Sequence, residues 1–91
     1  IDIDGYMIDE SKSKVLENGH EIDLTTKEYE LLLYFMKNKG IAISREQVLT
    51  RVWDENYFGS DRVVEDTLRR LRKMMPNNNI KTIYGFGYRL D

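Results

Sequence analysis

The sequence has 91 residues, of which 41% are hydrophobic and 33% charged, so it predicts one small globular domain and excludes a disordered chain. It contains no cysteine, which excludes disulfides, thiolate metal sites and cysteine nucleophiles, and no apolar run approaches the ~20 residues of a membrane span; we expect a cytoplasmic protein. The net charge of −2, if it were evenly spread, would argue against binding to nucleic acid.

The N-terminal third is predicted to form a small antiparallel sheet. Residues 1–4 lack the basic and apolar regions of a signal peptide and an initiator methionine, so we expect this sequence to be part of a longer protein. Short β-prone segments follow at Tyr6–Asp9 and Lys14–Glu17. Asn18-Gly19 then joins the second segment to residues 20–24. This dipeptide is typical of a type I′ hairpin turn, which needs positive φ at both central residues.

A capping box predicts the start of the first helix. Thr25 and Glu28 are three residues apart, so each side chain can accept a hydrogen bond from the other residue's backbone amide. The helix should run from residue 26 to residue 37 or 38, with Tyr34 pointing away from the core. Its expected inward side chains, at helical spacing, are Tyr29, Leu32, Phe35 and Met36, flanked by Leu31 and Leu33.

A second capping box predicts the next helix. Ser44 and Gln47 repeat the same spacing, and the helix that follows should be short and end near residues 52–53. Residues 54–61 should then form a loop. A third helix should run from residue 62 to residue 74 or 75, because the residue before Pro76 resists the α conformation.

The third helix is predicted to have one apolar face and one cationic face. Its apolar side chains fall within about 60° of one another on a helical wheel; they are Val64, Leu68, Leu71 and Met75. The opposite side carries Arg62, Asp66, Arg69, Arg70 and Lys73, with Val63 and Thr67 on the flanks. An ordinary solvated helix can have this pattern. However, residues 62–91 hold seven basic residues against three acidic ones, whereas residues 1–30 hold three against nine. Arginine suits phosphate oxygens and the guanine edge in the major groove.

The last segment is predicted to be a β-hairpin. Residues 80–83 and 88–90 are β-prone, and the turn at residues 84–87 contains two glycines. The order of elements is therefore sheet, helix, helix, loop, helix and hairpin. That order predicts an α+β fold, a winged helix-turn-helix in which the hairpin is the wing.

Four segments, in order, resemble the effector domains of OmpR/PhoB-type response regulators; they are residues 24–32, 43–53, 62–73 and 83–90. The first begins with Leu-Thr-x-x-Glu, and the last ends with Gly-x-Gly-Tyr-x-Leu. The resemblance implies sequence-specific binding to double-stranded DNA and transcription regulation within a two-component phosphorelay. It also implies an N-terminal receiver domain outside residues 1–91, a sensor histidine kinase that acts through that domain, a dimer on direct-repeat promoter sites, and contact with RNA polymerase.

The resemblance implies a role for each matching residue. The DNA-contacting set would be Trp53, Arg62, Val63, Asp66, Thr67, Arg69, Arg70, Arg72, Lys73, Thr82, Tyr84 and Tyr88. Arg70 would be the main base reader, and Asp66 and Thr67 occupy positions that touch bases. The other cations of the helix would serve phosphates or lie near them, Trp53 would donate its indole N–H to a phosphate, and Thr82 and Tyr88 would touch the DNA backbone near the wing.

Two further expectations concern the loop and the departures from the family pattern. The polymerase-facing loop would consist of Asp54, Glu55, Asn56, Tyr57, Phe58 and Gly59. Tyr84 stands where many relatives have an arginine that enters the minor groove, although its hydroxyl could still hydrogen-bond a phosphate. Asp66 replaces an often apolar residue, and it could accept from cytosine N4 or orient Arg70.

Other classes of function are also open to a sequence of this kind. A winged-helix module that binds protein would suit the acidic total and would expose Tyr34, Tyr57 and Phe58 together; RNA binding is a lesser option. Catalysis is not expected, because His20 is the single histidine and there is no Cys/His cluster with metal spacing. Residues 85–87 lack the Lys-Ser/Thr and helix of a phosphate loop, so no cofactor is expected.

Overall fold

The computed structural model describes residues 2–91 and, within them, all side chains except that of Ile3. Ile1, the first residue of the segment judged not to be a signal peptide, lies outside the described residues. The strands are β1 (Asp2–Ile3), β2 (Tyr6–Asp9), β3 (Lys14–Glu17), β4 (His20–Ile22), β5 (Ile43–Ser44), β6 (Ile80–Ile83) and β7 (Gly87–Leu90). The helices are α1 (Thr26–Lys37), α2 (Arg45–Val48) and α3 (Arg62–Met74).

The predicted N-terminal sheet is confirmed as a four-stranded antiparallel sheet in the order β1-β2-β3-β4. Asn18 and Gly19 have φ values of 52° and 80°, as a type I′ turn requires. β4 ends at Ile22, two residues before the predicted end of that strand. Tyr6 and Val15 are buried on the inner face of the sheet, which therefore covers one side of the core.

Helix α1 begins at the predicted capping box. The Glu28 amide donates to the Thr25 hydroxyl at 3.2 Å, and the Thr25 amide donates to Glu28 Oε1 at 3.3 Å. The predicted inward face was too narrow: Leu31 is fully buried, and Tyr34 packs partly against the core instead of pointing away. The reason is that α1 contacts α3, the end of the second helix and β7, so neighbours cover more of its circumference.

The second helix begins at the predicted Ser44–Gln47 capping box and ends at Trp53, but it is not α-helical throughout. The Gln47 amide donates to the Ser44 hydroxyl at 3.1 Å. After Val48 the chain widens into a π-helical turn, Leu49–Trp53, closed by the Asp54 amide donating to the Leu49 carbonyl at 3.2 Å. Such turns are rare and often lie at functional sites.

Helix α3 and the C-terminal hairpin confirm the winged-helix prediction. The four side chains of the predicted apolar face are at most 1% exposed: Val64, Leu68, Leu71 and Met75. β7 is the central strand of the β5-β7-β6 sheet, and it begins at Gly87, one residue earlier than predicted, because Gly87 pairs with Ser44 and Ile83. Among residues 2–91, none of the helices has the length and apolarity needed to cross a membrane.

The loop between α3 and the hairpin is tied to the N-terminal sheet. Asn79 donates to both carboxylate oxygens of Asp4, from its side chain at 2.8 Å and from its amide at 3.2 Å. The Asn77 amide donates to the Tyr6 hydroxyl at 3.1 Å. These bonds join positions more than 70 residues apart and hold the start of the wing against β1 and β2.

Candidate nucleic-acid interface

The outer face of α3 exposes four cations: Arg62, Arg69, Arg70 and Lys73. Within the described residues the Arg70 side chain forms no ion pair or hydrogen bond, so its guanidinium is available to a ligand. The helix holds it outward because the apolar face made of Val64, Leu68, Leu71 and Met75 packs into the core on the other side. The predicted exposure of this cationic face is therefore confirmed.

The two acidic residues of α3 form ion pairs with arginines other than Arg70. Asp66 pairs with Arg69 at 3.3 Å, so it does not orient Arg70 through an ion pair. Glu65 pairs with Arg45 of α2 at 2.6 Å. Both carboxylates therefore neutralise cations beside Arg70 and leave Arg70 itself uncompensated.

An open groove of about 660 Å³ separates α3 from the wing. Its lining combines cations of two helices with the residues of the hairpin turn: Arg45, Glu65, Leu68, Arg69, Arg72 and residues 82–88. Arg72 crosses the base of the groove, where its Nη2 donates to the Ile80 carbonyl at 2.9 Å and to the Thr82 hydroxyl at 3.1 Å. Arg72 and Thr82 were both predicted to lie at the DNA backbone. In the structure they are hydrogen-bonded to each other, and this bond connects α3 to the wing.

Arg45 also lines this groove, although it was not predicted from the sequence as a site residue. Arg45 is the first residue of α2, where the recognisable sequence signal is the capping box of Ser44 and Gln47. Its side chain is 47% exposed and lies 4.0 Å from Asp61 in addition to its contact with Glu65. The neighbouring Tyr88 hydroxyl, and then the Glu65 carboxylate, raise the pKa of Arg45 above its ordinary value. Arg45 therefore stays charged at the edge of the groove.

Two predicted contact residues are mainly core residues. Thr67 is 3% exposed, because the flank on which the wheel placed it is covered by the protein. The burial of Thr67 does not favour a contact with a base edge, and its predicted role in DNA binding stays a prediction. Tyr88 is also 3% exposed, and its ring packs edge-on against Phe35 with centroids 6.1 Å apart. Tyr88 contributes to the groove through its hydroxyl group. Within residues 2–91 that hydroxyl makes no hydrogen bond of good geometry.

The wing tip presents an aromatic side chain to solvent. The Phe86 amide donates to the Ile83 carbonyl at 2.9 Å, and Gly85 has φ of 78°, a left-handed value that glycine adopts readily at the third position of such a turn. Tyr84 is consequently 93% exposed, and Phe86 is 50% exposed. A side chain this exposed contributes little to the core, so it is free for an external contact.

The remaining predicted residues lie at the end of the second helix, in the following loop and in the first turn of α3. Trp53, at the end of the second helix, is half-buried against the core, as is Val63 in the first turn of α3. In the loop, Phe58 is 97% exposed, whereas Tyr57 folds back over Gly59, so closely that a Cβ on the glycine would meet the Tyr57 hydroxyl. Phe58 is thus the outermost apolar side chain of the loop.

The fold and this surface define a class of protein: a winged helix with an arginine-rich third helix and a wing beside it. The family model described as "Transcriptional regulatory protein, C terminal" matches residues 19–90. The chain belongs to this family, the OmpR/PhoB-type effector domains, and its relatives are response regulators.

Relatives and solved structures agree with that assignment. Transcriptional regulatory protein CssR of Bacillus subtilis is 50% identical over 91 residues, which cover 99% of this chain and 40% of CssR. Regulatory protein VanRB of Enterococcus faecalis is 42% identical over 78 residues, which cover 86% of this chain and 36% of VanRB. The chain therefore spans about two fifths of the length of these relatives.

Two solved structures show the same fold. The crystal structure of the DNA-binding domain of Bacillus subtilis CssR has a TM-score of 0.89 and 52% identity, with 94% of this chain and 99% of that chain covered. The DNA-binding domain of Klebsiella pneumoniae RstA, solved in complex with the RstA box, has a TM-score of 0.86 and 27% identity, with 99% and 94% covered.

Proposed function

We propose that this domain binds double-stranded DNA in a sequence-dependent manner as the output domain of a two-component response regulator. The observation that carries the proposal is the exposed Arg70, which has no side-chain partner among residues 2–91 and lies on a helix whose opposite face is the core. The RstA DNA-binding domain, which shares the fold, was solved in complex with the RstA box, and this supports binding to DNA by the present domain.

Helix α3 is the element proposed to enter the major groove. A groove about 12 Å wide admits one α-helix, and a guanidinium can donate two hydrogen bonds to guanine O6 and N7. Arg70 is assigned this reading role. The flanking cations of the exposed face, Arg62, Arg69 and Lys73, are assigned to phosphates. The ion pair with Asp66 partly neutralises the charge of Arg69.

The groove beside α3 is proposed to receive the sugar-phosphate backbone. The buried Tyr88 hydroxyl lies beside Arg45 but makes no hydrogen bond of good geometry within the described residues, and a buried group left unsatisfied costs about 1–3 kcal/mol. A phosphate oxygen in the groove would accept from Tyr88 and from Arg45 together, which would offset that cost. Tyr84 at the wing tip then reaches a sugar or phosphate as an uncharged contact, in place of an arginine in the minor groove.

The wider assignments concern the protein to which this domain belongs. A receiver domain N-terminal to it, phosphorylated by a sensor histidine kinase, would control dimerisation on direct-repeat promoter DNA in the cytoplasm. Residues 54–61, with Phe58 outermost, would contact RNA polymerase. The domain would have no catalytic activity of its own. The length of the relatives beyond this chain supports a further domain.

Binding to DNA can be separated from the rival interpretation, a module that binds only protein. Fluorescence anisotropy with labelled duplexes selected from random sequence would give the affinity at several salt concentrations. Neutralisation of several phosphates predicts that the logarithm of the affinity falls linearly with the logarithm of the salt concentration. An affinity that does not depend on salt would refute the proposal and favour the protein-binding module.

Lys73→Ala tests the phosphate contacts specifically. We expect it to weaken binding to every duplex by a similar factor and to lower the slope of log affinity against log salt by about one unit, because one phosphate loses its partner. The measurement is a salt titration with the preferred and with a scrambled duplex. A loss confined to the preferred duplex would show instead that Lys73 reads a base.

A further inference from the structure

A single lysine of α1 contacts two groups at the end of the second helix and one glutamate of its own helix. Lys27 Nζ donates to the Val52 carbonyl at 2.8 Å and lies 3.0 Å from Glu30 Oε2. The same ammonium is 5.9 Å from the centre of the Trp53 ring, within the range of a cation–π contact. Nothing in the sequence pattern singles out this residue, because it lies at the second position of α1, inside a capping box that does not use it.

The location of Lys27 is electrostatically unfavourable for a helix. The first turn of a helix carries the positive end of its dipole, so a lysine there is disfavoured unless a partner compensates it. Glu30 supplies the opposite charge on the same helix, and the Lys27 side chain is 43% exposed, so half of it is withdrawn from solvent. In return, Lys27 at this position contacts the end of the second helix.

The Val52 carbonyl needs the partner that Lys27 provides. The π-helical turn is closed by the Asp54 amide, and Asp54 then adopts an extended backbone that leaves the helix. The amides of Asn56 and Tyr57, which could have continued the helix, donate to the Asp54 side chain and the Asp54 carbonyl instead. Lys27 therefore acts as the cap of this helix end, next to the indole.

We infer that Lys27 is a positioning residue for DNA binding: it holds the Trp53 indole in place from α1 without touching DNA itself. The inference rests on the proposed function and on the phosphate contact that the family resemblance implies for the Trp53 indole N–H. The cation above the ring restricts the indole, and the bond to the Val52 carbonyl fixes the backbone that carries it. Helix α1 thereby contributes to DNA affinity from behind the interface.

Trp53 is the single tryptophan of the sequence, so its fluorescence reports this contact directly. We expect Lys27→Met, in protein without DNA, to shift the emission maximum and to increase quenching by acrylamide, because the indole becomes mobile. Lys27→Arg keeps a cation and a donor and should restore the wild-type spectrum. Lys12→Met, in the exposed connection between β2 and β3, removes the same charge at a distance and should leave the spectrum unchanged.

The same variants separate positioning from direct contact in DNA binding. Lys27→Met should lower the affinity for the preferred duplex about three- to tenfold, the effect expected for one cation–π contact and one hydrogen bond. The slope of log affinity against log salt should stay that of the wild type, since Lys27 neutralises no phosphate. In a Trp53→Phe background, Lys27→Met should have little further effect, because the indole N–H is already absent.

Several results would overturn the inference. They are a Lys27→Met spectrum identical to that of the wild type, a salt slope reduced by about one unit, or full additivity with Trp53→Phe. Circular dichroism of each variant restricts the comparison to folded protein. A wild-type chain that binds no duplex would refute the proposed function, whereas a binding wild type with an unaffected Lys27→Met variant would refute only the positioning role.

Discussion

Replacing Arg70 with alanine should abolish the domain's preference among DNA sequences while leaving its fold intact. The side chain is exposed and has no partner among residues 2–91, so its removal leaves no buried group unsatisfied and opens no cavity. A bidentate contact between arginine and guanine is worth about 1–3 kcal/mol of discrimination, which corresponds to a factor of roughly 5 to 150 between the preferred and a mismatched duplex. That ratio should fall toward one in the variant.

The measurement is a competition between preferred and scrambled duplexes at fixed salt, followed by selection from random DNA. Lys73→Ala is the matched control, because it also removes one exposed cation of α3 but should keep the sequence preference. If Arg70→Ala retained the wild-type preference in the selection, base reading would have to be assigned to another residue. Thermal unfolding of both variants should match that of the wild type.

Gly87→Ala should have the largest effect on the fold of the wing. Gly87 begins β7 opposite Ser44 of β5, and a Cβ there would lie 2.1 Å from the Ile43 carbonyl oxygen and 2.8 Å from the Ser44 Cα. Both are backbone atoms, so neither can rotate away as a side chain would. The two strands must separate, which removes the support for Arg45 at the groove. Overpacking of this kind costs about 1–3 kcal/mol or more of the free energy of unfolding.

Gly85→Ala is the matched control in the same hairpin. Gly85 has φ of 78°, and a Cβ built on it meets no atom within 4 Å, so alanine there causes backbone strain without a clash. That strain costs roughly 1–2 kcal/mol. Urea unfolding followed by Trp53 fluorescence should place Gly87→Ala below Gly85→Ala in stability, and DNA affinity should fall further in Gly87→Ala. Equal stability of Gly87→Ala and the wild type would mean that the β5–β7 contact tolerates a side chain.

Much of the fold was predictable because its signals are local. The two capping boxes and the Asn18-Gly19 turn involve residues at most three positions apart, and their hydrogen bonds form as the spacing implies. The four-residue apolar stripe of α3 was predictable for the same reason, since a helix places such residues on one side whatever they pack against. The outward position of Arg70 follows from that stripe.

The burial and the contacts that the sequence did not predict depend on segments that are distant in the chain. Thr67 lay on a flank of the wheel, and the wheel does not show how far the neighbouring elements extend over that flank. Arg72 was assigned to DNA because no local pattern shows that it binds the Ile80 carbonyl and Thr82. The Glu65–Arg45 pair and the Lys27 contacts also cross between helices.

By itself, the sequence determined the order and approximate limits of the helices, the hairpin turns, and which side of α3 is apolar. These properties depend on hydrogen bonds and periodicity within a few residues, so the spacing of residue types is enough. The tertiary structure alone decided which cations remain free. Within residues 2–91 Arg70 has no partner, whereas Arg45 and Arg72 are engaged by groups of other elements, because a long side chain bonds to whatever group the folded chain brings within about 3 Å of it.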